Sequence, residues 1–274
     1  SLLVDVNIKN YKTISLLFVM TGYSRYFVEI SYNGEAYSGW QKQLNSNSIQ
    51  ETIEKVISDL LSKKTSIVGA GRTDAGVHAI KMFAHFDAKI SNEKFIQLKY
   101  LMNNYLPNDI VVKNLYHVIP DAHARFDAKS RTYEYKISTE KHSFDFPFTF
   151  YVKENLNIDM MNKAAKILLE YKDFKSFSKS NTDVKTFFCK IISARWSLKK
   201  DKYIFRIKSD RFLRNMVRAI VGSLIEIGIG KREINDFKDL IESRDRKNAG
   251  FSVPAKGLFL SDIDYPKKIF KQKV

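Results

Sequence analysis

Cysteine is nearly absent from this chain, since Cys189 is the single one among 274 residues. One cysteine cannot form an intramolecular disulfide or a cysteine-rich metal cluster, and it excludes the Cys-x-x-Cys half-site of zinc-dependent deaminases. The five histidines show no spacing typical of metal ligands. We therefore predict no metal site and a reducing, cytoplasmic location.

Long hydrophobic runs are also missing. The apolar stretch Ile14 to Met20 is far shorter than the roughly 20 residues needed to cross a bilayer. No small-residue cleavage site follows it, so the sequence does not predict a secretory signal peptide. We expect no membrane association, and we predict that residues 1–23 are an N-terminal extension outside the fold.

Glycine-rich nucleotide motifs are absent as well. The chain lacks the Gly-x-x-x-x-Gly-Lys-Ser/Thr pattern of phosphate loops, and Gly69-Ala70-Gly71 is too short a glycine signal for a dinucleotide site. We therefore predict no nucleotide and no other small-molecule cofactor.

Acidic residues are few relative to basic ones. The 46 lysines and arginines outnumber the 30 aspartates and glutamates, which gives a formal net charge of +16 and a pI near 9.6. Such an excess is typical of proteins that bind the phosphate backbone of nucleic acids. The alternative is a lysine-rich protein whose charges are only solvated. In either case, the hydrophobic fraction of 44% predicts a folded core.

A polar loop flanked by glycines is the most informative stretch. Gly69 to Ala79 follows the β-like run Thr65 to Val68 and precedes the alternating run Met82 to Phe86. Such a loop can turn tightly and lift one side chain away from a sheet, and that side chain is Asp74. Arg72 lies two residues earlier, where its charge would stabilise the ionised carboxylate. The simpler alternative is a charged turn that only joins two strands.

The order of the predicted elements indicates an α+β fold. In the first half we predict strands at 26–32, 65–68, 82–86 and 110–118 and helices at 49–62 and 93–105. In the second half we predict strands at 131–138, 186–198, 203–209 and 258–263 and helices at 159–170 and 211–228. Both halves follow the order β-α-β-β-α-β of a ferredoxin-like unit. We predict a first unit at 24–121 that carries the Asp74 loop, a second unit at 122–266, and a basic C-terminal tail at 267–274.

The predicted helix at 211–228 has two different faces. At helical spacing its apolar residues cluster on one side, while Arg211, Arg214 and Arg218 cluster on nearly the opposite side. A solvated arginine face is the simpler interpretation. The alternative is that these cations bind RNA phosphates or pair with Asp74.

Several short motifs occur in a fixed order along the chain. They are Tyr37-Ser38-Gly39-Trp40-Gln41, Gly71-Arg72-Thr73-Asp74-Ala75-Gly76-Val77-His78-Ala79, Ala124-Arg125-Phe126-Asp127-Ala128, Arg131-Thr132-Tyr133-Glu134-Tyr135, Asp173-Phe174-Lys175-Ser176-Phe177, Phe212 to Gly222, and Ala255-Lys256-Gly257-Leu258-Phe259-Leu260. Together they closely resemble the TruA family of tRNA pseudouridine synthases, from about Tyr26 to Tyr265. The chain departs from the family at Tyr32-Asn33-Gly34, where the family usually has Tyr-Asp-Gly.

This resemblance implies two tandem ferredoxin-like units whose sheets join around a central basic cleft. It also implies a homodimer that binds tRNA and converts uridines of the anticodon arm, nominally positions 38, 39 and 40, to pseudouridine. At the matching motif positions, Asp74 is the catalytic residue, Tyr133 stacks on the target base, and Arg218 pairs with the aspartate. Arg72 would help to hold the flipped base or its phosphate. The site would then combine Asp74 of the first unit with Arg218 of the second.

The chemistry of pseudouridylation fits the absence of a cofactor motif. The reaction breaks the bond from N1 to C1′ and reattaches the same ring through C5, so it needs no redox agent, energy donor or metal. A carboxylate can attack C1′, or it can take a proton from the ribose so that a glycal forms, and the sequence leaves both routes open.

Two other functions fit the same composition. One is an RNA-binding module without activity, and the other is an RNA N-glycosidase that releases the base to water. For any of these RNA ligands, we expect Lys199, Lys200, Arg211 and Arg214 to contact the phosphate backbone.

Overall fold

The computed structural model of the protein describes residues 22–180 and 184–271. Its contacts divide the chain into two compact units. Unit 1 comprises the described residues of Ser1–Thr73, Lys81–Lys129 and Asp264–Val274, and unit 2 comprises Asp74–Ile80 and the described residues of Ser130–Ile263. The predicted extension at 1–23 and the tail at 267–274 lie largely or partly outside the described residues.

The described residues form five α-helices and nine β-strands. The helices are α1 (Ile49–Leu61), α2 (Asn92–Tyr105), α3 (Ile158–Ile167), α4 (Met216–Gly228) and α5 (Ile234–Ser243). The strands are β1 (Ser24–Tyr32), β2 (Val68–Gly69), β3 (His78–Ala88), β4 (Ile110–His117), β5 (Ser130–Ser138), β6 (Phe150–Tyr151), β7 (Ile191–Lys199), β8 (Lys202–Ser209) and β9 (Leu258–Asp264). This mixture of helices and strands is a mixed α/β fold.

Unit 1 is built around a sheet in which β4 and β3 flank β1 and the short β2 pairs with β3. The pairing of β1 with β4 is antiparallel. Helix α1 begins where the sequence predicts, because the Ser48 side chain accepts a hydrogen bond of 3.2 Å from the Glu51 backbone N–H. Its apolar positions Ile49, Ile53 and Ile57 are fully buried, so hydrophobic burial holds the helix in the unit.

Unit 2 contains the strand order β9, β5, β8, β7, with β6 paired to β5. The antiparallel β7 and β8 are joined by a two-residue turn in which Lys200 has a φ of 57°. The turn lies between the strands that the sequence predicts at 186–198 and 203–209. The first residues of β3 also belong to this unit, since His78 and Ala79 pair in parallel with Phe259 and Leu260.

The Asp74 loop groups with unit 2, although we predicted it within a first unit at 24–121. The reason is that Val77 is buried in the hydrophobic core of unit 2 and the next residues pair with β9. Asp74 and Arg218 therefore share one contact-defined unit. The predicted unit boundaries themselves stay a prediction.

The helix predicted at 211–228 begins only at Met216, so the prediction was wrong for its first turn. Asn215 precedes it with a φ of 66°, a left-handed conformation that asparagine tolerates better than most residues and that does not continue a helix. Upstream, the Asp210 carboxylate accepts hydrogen bonds from the backbone N–H groups of Lys190 and Arg211. These bonds hold residues 210–215 as a loop, so Arg211 and Arg214 do not lie on the helix that carries Arg218.

Other element boundaries differ by a few residues. The strand predicted from residue 186 begins at Ile191, and the helix predicted to residue 170 ends as an α-helix at Ile167 and continues as a 3-10 turn at Leu168–Glu170. The segment 144–148 contains a 3-10 turn at Phe146–Phe148. None of the helices among the described residues is long and apolar enough to cross a membrane.

Candidate active site

Asp74 lies in the connection between β2 and β3, as the sequence predicts. The loop turns tightly, because the Val77 backbone N–H donates to the Asp74 carbonyl over 3.1 Å. Gly76 supports this turn with a φ of 75°, and a Cβ at that position would lie 3.3 Å from the Ala255 side chain. The turn leaves the Asp74 side chain 27% exposed, so the carboxylate is accessible while its backbone is fixed.

Two arginines face the Asp74 carboxylate. The Arg214 Nε atom lies 3.5 Å from one carboxylate oxygen, and an Arg218 guanidinium nitrogen lies 3.8 Å from the other. These distances correspond to ion pairs, and the two positive charges stabilise the negative charge of the carboxylate. The prediction that Arg218 can pair with Asp74 is compatible with this geometry, and Arg214 joins the same carboxylate from the loop before α4.

Arg218 is anchored through its backbone and its side chain. Its Nε–H donates to the Val253 carbonyl over 2.7 Å, and the Val253 N–H donates to the Arg218 carbonyl over 3.3 Å. With the side chain only 21% exposed, the guanidinium can change direction only if the bond to Val253 breaks. The anchoring carbonyl belongs to a loop and has no residue signature, so the sequence did not reveal it.

Glycine allows this loop to lie directly against α4. A Cβ placed on Gly222 would lie 1.8 Å from the Phe251 carbonyl oxygen, which is far inside van der Waals contact. On the loop side, the Gly250 N–H donates to the Ser223 hydroxyl over 2.9 Å. The close approach of the two backbones is what brings the Val253 carbonyl within reach of Arg218.

Tyr133 lies on β5 and packs edge-on against Phe212, with ring centroids 5.2 Å apart and an interplanar angle of 89°. Burial and the negative charge of Asp74 raise the pKa of Tyr133 to about 12. The phenol is therefore neutral near pH 7, and its half-buried ring offers an uncharged surface close enough to Asp74 to sense its charge. Phe212, the first residue of the motif Phe212 to Gly222, is thus a packing partner of Tyr133.

Two of the sequence-predicted residues make other contacts. The Arg72 guanidinium is exposed and donates to the Gln41 side chain over 3.2 Å, so it is directed towards Gln41. The Arg211 side chain donates to the Thr186 carbonyl over 3.3 Å. The structure thus gathers Asp74, Tyr133, Arg214 and Arg218 within unit 2.

The amino-acid sequence matches the profile of the family described as tRNA pseudouridine synthase over residues 30–127 and 164–266. The chain belongs to this family. A relative named tRNA pseudouridine synthase A in Parabacteroides distasonis is 48% identical over 246 residues, which cover 90% of this chain and 98% of the relative. Proteins of the same name in Bacteroides fragilis and Porphyromonas gingivalis are 48% and 47% identical and cover 90% of this chain, with 98% and 99% of their own lengths matched.

Membership of the tRNA pseudouridine synthase family confirms the resemblance that the sequence motifs indicate. It makes the protein a tRNA-modifying isomerase. The matched residues include the whole Asp74 loop and the Arg214 and Arg218 segment. Among the residues described by the structure, no group of three or more histidine, cysteine, aspartate or glutamate side chains converges as a metal site would require.

Proposed function

We propose that this member of the tRNA pseudouridine synthase family isomerises uridines in the anticodon arm of tRNA, nominally at positions 38, 39 and 40, with Asp74 as the catalytic residue. The observation that carries the proposal is the accessible Asp74 carboxylate facing both Arg214 and Arg218 in a chain of this family. The names of the relatives support tRNA as the substrate.

The reaction needs one carboxylate and no external electron source. Asp74 either attacks C1′ or removes a ribose proton, and in both routes the bond between C1′ and N1 breaks and leaves its electron pair on the uracil ring. The ring then turns and forms a bond from C5 to C1′. In the nucleophilic route this bond displaces the Asp74 carboxylate from C1′, and in the glycal route Asp74 returns the proton that it took from the ribose. The hydrogen on C5 leaves as a proton and N1 gains a proton, so atoms and electrons balance and Asp74 is regenerated as a carboxylate.

Arg218 and Tyr133 have complementary roles in this proposal. The positive charge of the anchored Arg218 orients the Asp74 carboxylate. The neutral Tyr133 ring provides a stacking surface for a base that has left the RNA helix. Stacking of a base on an aromatic side chain contributes about 1 to 3 kcal/mol, which offsets part of the cost of unstacking. The edge-on contact with Phe212 supports this role because it fixes the plane of the ring.

The remaining basic residues are proposed to bind the RNA backbone. Arg214 is 60% exposed and Arg72 is exposed, so both can reach a phosphate. We also assign Arg211 a phosphate contact at the edge of this group. Its side chain is half-buried and one guanidinium nitrogen donates to the Thr186 carbonyl, so its other N–H groups would make this contact. Each such contact releases counterions, and tRNA affinity should therefore decrease steeply as the salt concentration rises.

We further propose that the two units are tandem ferredoxin-like folds and that the protein acts as a cytoplasmic homodimer. The strand orders β4-β1-β3-β2 and β9-β5-β8-β7 support the fold assignment, because each places the first strand of its unit between the fourth and the third. The dimer and the location rest on the resemblance to the family and on the single, buried cysteine.

A tritium-release experiment tests the central proposal. The protein is incubated with tRNA that carries tritium at uridine C5, and released tritium is measured for wild type, Asp74→Asn and Asp239→Asn. Asp239 is an exposed aspartate on α5 and controls for the loss of one negative charge in unit 2. We expect release by wild type and the Asp239 variant and none by the Asp74 variant.

Two results would contradict the proposal. Equal release by the Asp74 variant would remove the catalytic role of this carboxylate. Release of free uracil instead of tritium would identify an RNA N-glycosidase, and tRNA binding without either product would identify an RNA-binding module.

A further inference from the structure

The segment 246–253, which we call the clasp, follows α5 and contains Val253, the residue that anchors Arg218. It crosses α4 at Gly222, and its Gly250 N–H is bound by the Ser223 hydroxyl. It ends at Val253, whose carbonyl accepts the Arg218 Nε–H. The direction of the Arg218 guanidinium therefore depends on the conformation of the clasp.

Arg246 holds the clasp closed. Its guanidinium donates to the Ser252 hydroxyl over 2.8 Å and to the Gly250 carbonyl over 3.2 Å, so one planar side chain bridges the start and the end of the segment. The two bonds use different nitrogens of the planar guanidinium, and a lysine does not reproduce them well because its three donors lie on one nitrogen at the end of a flexible stem. The side chain of Arg246 is half-buried, which strengthens these bonds relative to exposed ones.

The same hydroxyl also fixes the beginning of α4. The Asn215 side-chain N–H₂ donates to the Ser252 hydroxyl oxygen over 2.6 Å. Asn215 has the left-handed conformation that ends the loop, and it follows Arg214 directly in the chain. Through Ser252, Arg246 is connected to the residue beside Arg214, and through Val253 it is connected to Arg218.

From this geometry we infer that Arg246 is a positioning residue for the reaction, acting on Asp74 through Arg218. The inference rests on the proposed catalytic role of Asp74. Arg246 sets the Val253 carbonyl, the carbonyl directs the Arg218 guanidinium, and the guanidinium orients the carboxylate. Misplacement of a catalytic group by about 1 Å can lower a rate constant by about 100-fold.

The first test compares Arg246→Gln with Arg244→Gln. Arg244 is exposed, forms an ion pair with Asp173 and has the same charge, so its variant controls for the loss of a cation near the clasp. We expect Arg246→Gln to lower kcat for tritium release about 10- to 100-fold while KM for tRNA changes less than about twofold. Arg244→Gln should keep the wild-type kcat, and Arg246→Lys should recover only part of the loss.

A double-mutant cycle with Arg218→Lys separates positioning from simple destabilisation. If Arg246 acts through Arg218, the double variant will lose no more kcat than Arg218→Lys alone. Additive losses in kcat would overturn the inference, and so would an unchanged kcat for Arg246→Gln in folded protein. If Arg246→Gln does not fold, Ser252→Ala removes the shared hydroxyl without changing charge and is held to the same criteria. Wild-type tritium release in the same assay reports on the proposed function independently.

A cavity in unit 1 supports a second, independent inference. It has a volume of about 470 Å³ and is lined by the residues that follow α1, by β2 and by the C-terminal end of β3. Its charged lining residues are Arg25, Lys63, Lys64, Asp87 and Lys89. Among the described lining residues Asp87 is the one carboxylate, and Arg25 binds it through bonds of 2.7 and 2.8 Å.

The cavity therefore has a local excess of three lysine charges. Burial and the nearby charges of Arg25 and His123 lower the pKa of His85, another lining residue, to about 3, so His85 is neutral near pH 7. The Lys63 ammonium contacts the Tyr23 hydroxyl, and Lys64 and Lys89 are exposed. Three ammonium groups around one concave surface suit a phosphate group.

We propose that this cavity binds a phosphate of the tRNA backbone. The test measures the affinity for tRNA over a range of salt concentrations for the triple variant Lys63→Gln, Lys64→Gln, Lys89→Gln. The matched control replaces Lys55, Lys99 and Lys113, which are exposed lysines of the same unit outside the cavity. Because the cavity would neutralise one phosphate, we expect the cavity variant alone to reduce the slope of log K against log salt by about 1.

Equal slopes for the cavity variant and wild type would overturn this proposal, and so would equal losses in the two triple variants. Binding of inorganic phosphate at the cavity without any change in tRNA affinity would assign the site to a free anion and also contradict it. Tritium release by the wild-type protein is measured in parallel, so that failure of this proposal is distinguishable from failure of the proposed function.

Discussion

The two arginines that face Asp74 are held in different ways. Arg218 lies on α4, is 21% exposed, and donates its Nε–H to a backbone carbonyl. Arg214 lies in the loop before the helix and has a side chain that is 60% exposed. One cation is fixed by the fold, whereas the other is free to turn towards solvent.

This difference suggests a division of roles around one carboxylate. A fixed and partly desolvated charge stays directed at Asp74, because moving it would break a partly buried hydrogen bond. An exposed ion pair contributes about 0 to 1 kcal/mol, so a phosphate of the substrate can replace the carboxylate as the partner of Arg214. We therefore expect Arg218 to affect the chemical step and Arg214 to affect tRNA binding.

The largest expected effect comes from Gly222→Ala, which disturbs the contact between α4 and the clasp that anchors Arg218. The new Cβ would lie 1.8 Å from the Phe251 carbonyl oxygen, so α4 and the clasp must separate. We expect a loss of about 3 kcal/mol in the free energy of unfolding, measured by urea denaturation. Gly71→Ala is the control, since a Cβ there meets nothing within 4 Å. Equal stability of the two variants would show that the close approach is not rigid.

Arg218→Lys should reduce catalysis while leaving tRNA binding nearly intact. A lysine cannot both donate to the Val253 carbonyl and face the carboxylate, because it lacks the forked guanidinium. Loss of a charged hydrogen bond costs about 1.5 to 3 kcal/mol, which corresponds to a decrease in kcat of about 10- to 150-fold. Single-turnover tritium release measures the chemical step. A rise in KM with unchanged kcat would reverse the assignment of the two arginines.

Arg214→Gln should produce the opposite pattern. We expect KM for tRNA to rise several-fold, kcat to change less than about threefold, and the salt dependence of log K to decrease by about 1. Binding titrations at several salt concentrations provide the measurement, and Arg195→Gln, an exposed arginine of β7, is the control for net charge. If kcat decreased as much as it does for Arg218→Lys, both arginines would act on the chemical step, and the proposed division of roles would be wrong.

Some features of the fold and of the site could be predicted from the sequence, because the residues that determine them are close together in the chain. The start of α1 could be predicted because its capping residues are three positions apart in the chain. The Asp74 motif could be recognised because its residues are contiguous. In contrast, α4 begins after the left-handed Asn215, whose side chain bonds Ser252 37 positions further along the chain. A helical periodicity that continues through residues 211–215 does not reveal that contact.

Backbone acceptors limit the prediction of the site in the same way. Arg218 is held by the backbone carbonyl of Val253. Every residue type has such a carbonyl, so the identity of residue 253 does not reveal this contact. The direction of Arg72 towards Gln41 likewise depends on a partner 31 positions away. The identity of the charged residues was therefore predictable, but their partners were determined by tertiary structure.

The smallest expected effect concerns Tyr133, beside the loop that carries Arg214. Tyr133→Phe keeps the stacking ring, so tritium release near pH 7 should change less than about threefold. The pKa of this phenol is about 12 in the folded protein and about 10 in an unfolded chain. Because the unfolded chain loses the proton first, the contribution of Tyr133 to stability is fully present below pH 10 and is lost as the pH rises towards 12.

Tyr133→Phe should remove that loss, so its stability relative to wild type should increase between about pH 10 and pH 12 and stay constant at lower pH. Urea denaturation at each pH measures the difference, with Tyr100→Phe as the control because Tyr100 is 69% exposed on α2. A parallel pH dependence for Tyr133→Phe and wild type would mean that Tyr133 is not affected by Asp74 or by burial.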